Sequence, residues 1–323
     1  MKAPLNIAVV GSGYFGRFHA RHYAAHPDCR LVAVVDADLE RARAVAAEFG
    51  GMAYAAGDAL PDGIDAASVA VATVAHRAVA EALLARGIAV LVEKPIAATL
   101  ADADALVAAA EAAGAVLQVG HIERFSACFA AVAGQSRGRP RFLQARRMTE
   151  PKKRATDVDV VLDLMIHDID LAMAIADAPV VAVDAVGEAY INDTLDVCQA
   201  HLTFRNGVVA DLTASRIAES GERTLRIHWD DGFTVADLQN HVVVEAGRAA
   251  PGAGAEPDWR IARRTIDRVD GLRAEIDEFV AAVRGERRPR VCGRTGRDVL
   301  AVALSIGAAA SGRQPKIHLD RSA

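Results

Sequence analysis

Over the first 120 residues, short apolar runs alternate with longer segments that carry apolar residues at helical spacing. The predicted strands lie at 5–10, 30–35, 66–72, 88–92 and 115–119, and the predicted helices at 14–26, 38–49, 76–86 and 100–113. Short runs that are apolar throughout are typical of strands buried on both faces. Strands that alternate with helices through short links form a parallel sheet covered by helices. The pattern therefore predicts an α/β domain of the doubly wound kind.

A glycine-rich turn, Gly11-Ser12-Gly13-Tyr14-Phe15-Gly16, joins the first predicted strand to the first predicted helix. In such a turn the first glycine permits the tight bend, the second lets the backbone approach a pyrophosphate, and the third lets helix and strand pack closely. The helix N-terminus adds unpaired N–H groups and partial positive charge. Asp36 ends the next predicted strand, 20 residues beyond Gly16. The predicted dinucleotide-binding residues are Gly11, Gly13, Tyr14, Phe15, Gly16 and Asp36.

The residue at the end of the second strand indicates which dinucleotide binds. A carboxylate at Asp36 accepts hydrogen bonds from the ribose hydroxyls of the adenosine and repels a 2′-phosphate, which favours NAD. Arg41 and Arg43 lie nearby in the sequence and keep NADP open as an alternative.

Beyond residue 120 the alternation stops and most segments read as strands. Strands are predicted at 140–148, 181–190, 195–204, 207–215, 223–230 and 240–245, and helices at 160–176, 271–284 and 295–311. The pair Asn206-Gly207 between two strands is a strong hairpin signal. We therefore predict a dinucleotide-binding domain at 1–120 and an α+β domain at 121–323, in which the helix near 295–311 can pack back on the first domain.

Glu93-Lys94-Pro95 follows the apolar strand at 88–92. A lysine at the carboxyl edge of a parallel strand points into the crevice where ligands bind. Partial burial there lowers the pKa of a lysine and lets it donate or accept a proton. The alternative is a surface lysine in an ordinary link after a strand.

Asp163 and His167 are four residues apart, so on a helix they share a face. A histidine can carry a proton near neutral pH, and a carboxylate can orient it or bind a hydroxyl. One histidine with no cysteine nearby is a poor metal site, and we predict none. The alternative is the polar face of an amphipathic helix.

Two further groups can face a ligand. His121 and Arg124 lie at the predicted domain junction, and Arg154 ends the basic run Lys152-Lys153-Arg154, which can clamp a phosphate of the substrate. The alternative for the first group is an Arg–Glu pair that holds the junction together. The alternative for the basic run is a set of charged side chains exposed to solvent.

Composition excludes several classes of protein. The formal net charge of −5 is unlike that of a general nucleic-acid binder. No apolar run approaches the roughly 20 residues that cross a bilayer, and the apolar stretch before Gly11 is too short for a signal peptide. Four scattered cysteines without a CxxC spacing are typical of a reduced, cytoplasmic protein.

These motifs, in this order, resemble the Gfo/Idh/MocA family of oxidoreductases. The resemblance rests on the glycine turn, Thr73-Val74-Ala75-His76, Glu93-Lys94-Pro95 and residues 163–170. It implies a Rossmann domain followed by an α+β domain, whose open, mostly antiparallel sheet commonly forms the interface of a homo-oligomer. It further implies oxidation or reduction of a secondary alcohol, and a Lys94–Pro95 bond that is often cis. The residues that it adds to the cofactor site are Thr73, His76, Glu93, Lys94 and Pro95.

A narrower resemblance lies in 119–125 and 161–171, which are similar to the branch that contains UDP-N-acetylglucosamine 3-dehydrogenases. It implies an NAD-dependent dehydrogenase of a sugar nucleotide, with Lys94, Asp163 and His167 as catalytic residues. In the reaction that the resemblance implies, either His167 or Lys94 is the general base that accepts the proton of the substrate hydroxyl. Two alternatives stay open: a dehydrogenase of a free sugar or inositol, and a sensor or scaffold protein that binds NAD without turnover.

Overall fold

The structure is a computed structural model that describes residues 3–56, 60–135, 137–151, 158–248 and 259–312. In chain order, its elements up to residue 135 are β1 (Leu5–Val10), α1 (Tyr14–Ala25), β2 (Cys29–Asp36), α2 (Leu39–Phe49), β3 (Met52–Ala55), β4 (Ala66–Val69), α3 (His76–Leu84), β5 (Ala89–Glu93), α4 (Leu100–Ala113), β6 (Leu117–Gly120) and α5 (Ala127–Ala133). The later elements are β7 (Phe142–Met148), α6 (Ile166–Ala176), β8 (Val180–Glu188), β9 (Val197–Phe204), β10 (Val209–Ser215), β11 (Glu222–His228), β12 (Gly232–Asp237), β13 (Val242–Arg248), β14 (Trp259–Thr265), α7 (Gly271–Val283) and α8 (Gly293–Ser311).

The chain forms two compact units. The first contains the residues up to Ala130 together with 267–301, and the second contains 131–266 and the residues from Val302 onward. The division predicted at residue 120 differs from this in two ways: the break follows Ala130, and 267–301 returns to the first unit. A return was predicted only for the helix near 295–311, of which the residues up to Ala301 belong to the first unit. The apolar face of α7 shows that this helix packs, but not against which sheet, so its place in the first unit was not predicted.

The first unit is built on a parallel sheet with the strand order β3-β2-β1-β4-β5-β6. All five pairings are parallel, so the carboxyl ends of the strands lie along one edge. The order reverses between β1 and β4, where doubly wound sheets bind ligands. The predicted Rossmann architecture is confirmed.

Apolar side chains from distant parts of the chain form the core of this unit. Ile7, Tyr23 and Leu91 belong to one buried cluster, and so do Ile276 and Phe279 of α7. Each fully buried side chain of this size stabilises the fold by about 1.5–3 kcal/mol. The late segment is therefore an integral part of the first unit.

The second unit is an eight-stranded sheet with the order β14-β13-β12-β11-β7-β10-β9-β8. Its pairings are antiparallel except that of β7 with β10, which is parallel. The predicted hairpin at Asn206-Gly207 joins β9 to β10, with Gly207 at φ +81°. The predicted α+β unit with a mostly antiparallel sheet is confirmed.

Several elements differ from the sequence prediction. Strands β3, β12 and β14 and the short helix α5 were not predicted. Strand β3 and helix α5 are apolar but only four and seven residues long, and β12 and β14 mix polar with apolar residues. All seven residues of β14 are exposed. The predicted helix 160–176 begins with a π-helical turn, Val161–Met165, before α6. The strand predicted at 240–245 is β13, which extends three residues further, to Arg248.

Among the described residues, no helix combines the length and the apolar character needed to cross a bilayer.

Candidate active site

The glycine turn follows β1 at the carboxyl edge of the parallel sheet. Gly11 has φ +93°, and a Cβ there would lie 2.4 Å from the Ala70 carbonyl oxygen. A Cβ on Gly16 would lie 1.7 Å from the Gly11 carbonyl oxygen, so neither position accepts a side chain. A Cβ on Gly13 would meet no atom within 4 Å. The turn is therefore closed on the protein side and open at Gly13, as a pyrophosphate requires.

Helix α1 begins directly after this turn. Its N-cap is Gly13, which has no side chain to satisfy the first N–H groups, and the first turn carries no acidic residue. Tyr14 and Phe15 are exposed. Unsatisfied N–H groups at a helix N-terminus attract anions, so this end of α1 fits the phosphates of a dinucleotide.

Asp36, at the end of β2, is 8% exposed and is held by the glycine turn itself. Its Oδ2 accepts hydrogen bonds from Ser12 N at 2.7 Å and Ser12 Oγ at 2.8 Å, and its Oδ1 accepts one from Asp38 N at 2.9 Å. Burial works to raise the pKa of Asp36, but these hydrogen bonds and the charge of Arg41 outweigh it and lower the pKa. Arg41 Nη1 lies 3.6 Å from Asp36 Oδ1. The carboxylate is thus ionised and fixed beside the turn.

Glu93, Lys94 and Pro95 leave the end of β5 at the same edge, and the Lys94–Pro95 peptide bond is cis. Lys94 is half-buried. Nδ1 of the buried His76 lies 2.9 Å from the Pro95 carbonyl oxygen, and its Nε2 lies 3.2 Å from that of Val71. Burial lowers the pKa of His76. Its ring therefore contacts the backbone on both sides, and Thr73 begins the short 3₁₀ turn just before it.

Behind this segment lies a chain of buried polar side chains that the sequence analysis did not single out. The chain runs from Tyr23 through Ser68 and His19 to Glu93. His19 is 1% exposed and sits three residues after Gly16, on the side of α1 that faces the sheet. The helical spacing of His19 from Gly16 and Tyr23, which lie on the buried face of α1, was the only sequence signal that could have revealed it.

His121 and Arg124 follow β6. His121 is 1% exposed, and Arg124 is half-buried in the 3₁₀ turn Ile122–Phe125. Glu278 and Arg290, also in this unit, form an ion pair at 2.6 Å, and Arg290 stacks over the Phe125 ring at 5.0 Å. The basic run that contains Arg154 lies outside the described residues.

In the second unit, Asp163 lies in the π-helical turn and His167 in the first turn of α6, and both are half-buried. Four residues span close to one full turn in either geometry, so the two residues stay on one side of the helix. Asp159 begins this segment: its Oδ1 accepts from Leu162 N at 2.9 Å, and its carbonyl oxygen accepts from Asp163 N at 3.0 Å. Single π turns are frequent at functional sites.

Two buried ion pairs fix the helix that carries these residues. Arg147 of β7 and Asp168 of α6, both 2% exposed, approach to 2.8 Å between Nη2 and Oδ1. Arg216 donates through Nε to Asp196 at 2.8 Å and through Nη1 to the Val158 carbonyl oxygen at 2.8 Å. The helix is therefore tied to the sheet at its start and beside His167. Sequence reasoning missed both pairs, because their partners are about 20 residues apart in different elements.

Lys94 thus lies in the first unit with the predicted cofactor residues, and Asp163 and His167 lie in the second. Within the described residues, no cluster of three or more His, Cys, Asp or Glu side chains is arranged to hold a metal ion.

Two family models match the chain. Residues 5–121 match the oxidoreductase family with an NAD-binding Rossmann fold, and residues 114–235 match the GFO/IDH/MocA C-terminal domain. The two matches overlap at residues 114–121, which include β6, and together they cover the first sheet and the second sheet from β7 into β12.

Similar proteins are dehydrogenases of sugars and cyclitols. A UDP-N-acetylglucosamine 3-dehydrogenase of Acidithiobacillus ferrooxidans is 39% identical, over 94% of this chain and 96% of the relative. A solved structure of the enzyme with that name and source has a TM-score of 0.88 at 37% identity, covering 95% of this chain and 98% of the other. The myo-inositol dehydrogenase Hyg17 of Streptomyces leeuwenhoekii is 31% identical, over 96% and 99% of the two chains. On these matches, the chain belongs to the Gfo/Idh/MocA family of oxidoreductases, whose first domain is an NAD-binding Rossmann fold.

Proposed function

We propose that this protein is an NAD-dependent dehydrogenase that oxidises a ring hydroxyl of a sugar nucleotide, the C3 hydroxyl of UDP-N-acetylglucosamine. The observation that carries the proposal is the 39% identity, over 94% of the chain, to a relative with that activity in its name. The similarity extends through both units. It therefore includes the second unit, which carries the proposed substrate residues Asp163 and His167.

The glycine turn and the N-terminus of α1 bind the pyrophosphate, and Asp36 binds the adenosine ribose. The remaining proposed cofactor contacts are Thr73, His76, Glu93, Lys94 and Pro95. Held by these residues, NAD would supply the acceptor for the hydride of the carbinol carbon.

The chain itself handles the hydroxyl proton and the developing charge. His167 accepts the proton as general base. Lys94 donates a hydrogen bond to the same oxygen and stabilises its negative charge as the proton leaves. Asp163 orients His167 or Lys94, or holds a neighbouring hydroxyl. In the alternative assignment Lys94 takes the proton. Further substrate contacts are proposed for His121, Arg124 and Arg154, the last as a clamp on a phosphate.

The test is a dehydrogenase assay that follows NADH formation with UDP-N-acetylglucosamine, UDP-glucose, free N-acetylglucosamine and myo-inositol. We expect kcat/KM for UDP-N-acetylglucosamine to exceed that for myo-inositol at least ~100-fold, because buried polar groups built for one substrate reject another. The second candidate is a dehydrogenase of a free sugar or inositol, which the 31% identity to a myo-inositol dehydrogenase favours. A higher kcat/KM for a free sugar or for inositol than for UDP-N-acetylglucosamine would replace the proposal by this candidate. Tight NAD binding without turnover across the panel would favour a sensor.

Asp36 determines the preference for NAD over NADP. Replacing Asp36 by asparagine keeps an oxygen that accepts from Ser12 and removes the charge that repels a 2′-phosphate. We expect the ratio of kcat/KM for NAD to that for NADP to fall at least ~10-fold, since a charge pair at contact distance is worth more than 1 kcal/mol when partly buried.

Asp38→Asn is the matched control. Asp38 carries the same charge two residues away and caps α2 by accepting from Glu40 N and Arg41 N, a role that asparagine also fills. An equal shift of the ratio in both variants would show that net charge in this region, and not Asp36, selects the cofactor.

We also propose that the protein works in the cytoplasm as a homo-oligomer. All four cysteines are free thiols, which fits a reducing compartment.

Strand β14 is an edge strand exposed along its length, and it includes the large apolar side chains Trp259 and Ile261. Such edges are usually covered in the native assembly. Light scattering should give a mass that is a multiple of the 34.0 kDa chain, and a monomer would contradict the proposal.

A further inference from the structure

An ionised glutamate and a buried histidine meet behind the segment that carries Lys94. His19 Nε2 lies 3.0 Å from Glu93 Oε1, and His19 Nδ1 lies 3.0 Å from Ser68 Oγ. Ser68 Oγ lies 2.8 Å from the Tyr23 hydroxyl. His19, Ser68 and Tyr23 are each at most 1% exposed. Buried polar groups joined in this way are costly to break, because each would be left without its partner.

The hydrogen bond between His19 and Glu93 has a fixed direction. An ionised carboxylate only accepts, so His19 donates its Nε2 proton to Glu93. Burial raises the pKa of Tyr23, so the phenol keeps its proton and shares a hydrogen bond with the Ser68 hydroxyl. That hydroxyl is also hydrogen-bonded to His19 Nδ1. Burial works to raise the pKa of Glu93, but the hydrogen bond and electrostatic attraction of His19 and the charge of nearby Lys94 outweigh it and lower the pKa.

The two carboxylate oxygens of Glu93 have different partners. Oε1 accepts from His19, and Oε2 accepts from the backbone N–H of Lys94 at 3.3 Å. Gly120 closes the remaining side, since a Cβ there would lie 3.2 Å from both Cδ and Oε2 of Glu93. The carboxylate therefore cannot swing away without losing one of these contacts.

We propose that His19 is a positioning residue that, through Glu93, fixes the backbone and hence the side chain of Lys94. This role rests on the proposed function, in which Lys94 acts on the substrate hydroxyl. His19 lies on α1, whose first turn forms the dinucleotide site, so one helix both binds the cofactor and holds Lys94. Displacing a reacting group by about 1 Å can reduce the rate on the order of 100-fold.

Two amide substitutions separate the two contacts of His19. In His19→Gln the amide nitrogen can occupy the place of Nε2 and donate to Glu93. In His19→Asn the shorter amide occupies the place of Nδ1, so it keeps the Ser68 contact and loses Glu93. Both variants are uncharged and polar and differ from each other by one methylene group, so a purely structural role predicts losses of kcat of similar size in the two.

The kinetic readout is kcat with UDP-N-acetylglucosamine, alongside the Kd for NADH. We expect His19→Asn to lower kcat at least ~10-fold with the Kd for NADH within about threefold of wild type, and His19→Gln to stay within about threefold in both. Equal losses of kcat in the two variants, or a loss confined to NADH binding, would overturn the proposal.

The second readout needs no substrate and therefore separates this proposal from the proposed function. Hydrogen exchange of the Lys94 backbone amide, measured by NMR with NADH bound, reports its bond to Glu93 directly. We expect exchange to be faster in His19→Asn and unchanged in His19→Gln. Unchanged exchange in both would refute the positioning role, even in an active enzyme. An inactive wild type with the expected exchange pattern would refute the substrate assignment and leave the linkage from His19 to Lys94 standing.

Discussion

Replacing Lys94 by methionine is expected to lower kcat at least ~100-fold, the size of effect typical of losing a general acid–base group or a donor to a developing oxyanion. Methionine keeps most of the apolar length of the side chain and removes the ammonium group. Lys94 is one of several proposed cofactor contacts, and the glycine turn and Asp36 remain intact, so the Kd for NADH should rise far less than kcat falls. Single-turnover kinetics with UDP-N-acetylglucosamine would measure the loss at the chemical step.

His167→Ala is the companion variant, and we expect a loss of at least ~100-fold for the same reason. His167 lies in the second unit, so NADH binding to the first unit should again be retained. Activity close to wild type in both variants would remove the proposed mechanism. A large loss in only one of them would identify that residue as the group that moves the proton.

The fold could be predicted from the sequence wherever local pattern and tertiary environment agree. Residues 7–10 of β1, 31–35 of β2 and 89–92 of β5 are all apolar because both faces of these strands pack against other parts of the unit, so their sequences alone identify the strands. Strand β14 is exposed on both faces and offers no such pattern. The parallel pairing of β7 with β10 depends on which distant strands become neighbours, and no local signal encodes that choice.

The residues of the candidate site also fall into those that a local sequence signal identifies and those that it does not. Gly11 and Gly16 could be predicted because the backbone geometry of the turn leaves no room for a side chain at either position. His19 and the Arg147–Asp168 pair could not be predicted, because their roles depend on partners from other elements. From the sequence alone, a charged or polar residue in a strand or helix is predicted to lie on the protein surface.

Replacing Arg147 by methionine is expected to lower the free energy of unfolding by about 3–5 kcal/mol, because it leaves the Asp168 carboxylate buried without its cation. Methionine fills much of the same volume, so the loss reports the charge pair and not a cavity. Both tryptophans, Trp229 and Trp259, lie in the second unit. Urea unfolding followed by tryptophan fluorescence therefore reports on the unit that contains the pair.

The matched control is Arg141→Met. Arg141 also pairs with an aspartate, Asp230, but the two side chains are 62% and 56% exposed. Such surface pairs contribute about 0–1 kcal/mol, so a loss in Arg147→Met no larger than that in the control would contradict the expected cost of burial.

The double variant Arg147→Met with Asp168→Leu shows what the pair contributes beyond stability. Apolar replacement of a whole buried ion pair is often neutral or stabilising, so we expect the double variant to recover most of the stability that Arg147→Met loses. Asp168 directly follows His167, and the bidentate contact with Arg147 fixes both the position and the rotation of that helix turn. Leucine packing supplies no such directional constraint. Stability restored without restored kcat would therefore mean that the pair serves to place His167, whereas recovery of both would assign the pair to folding alone.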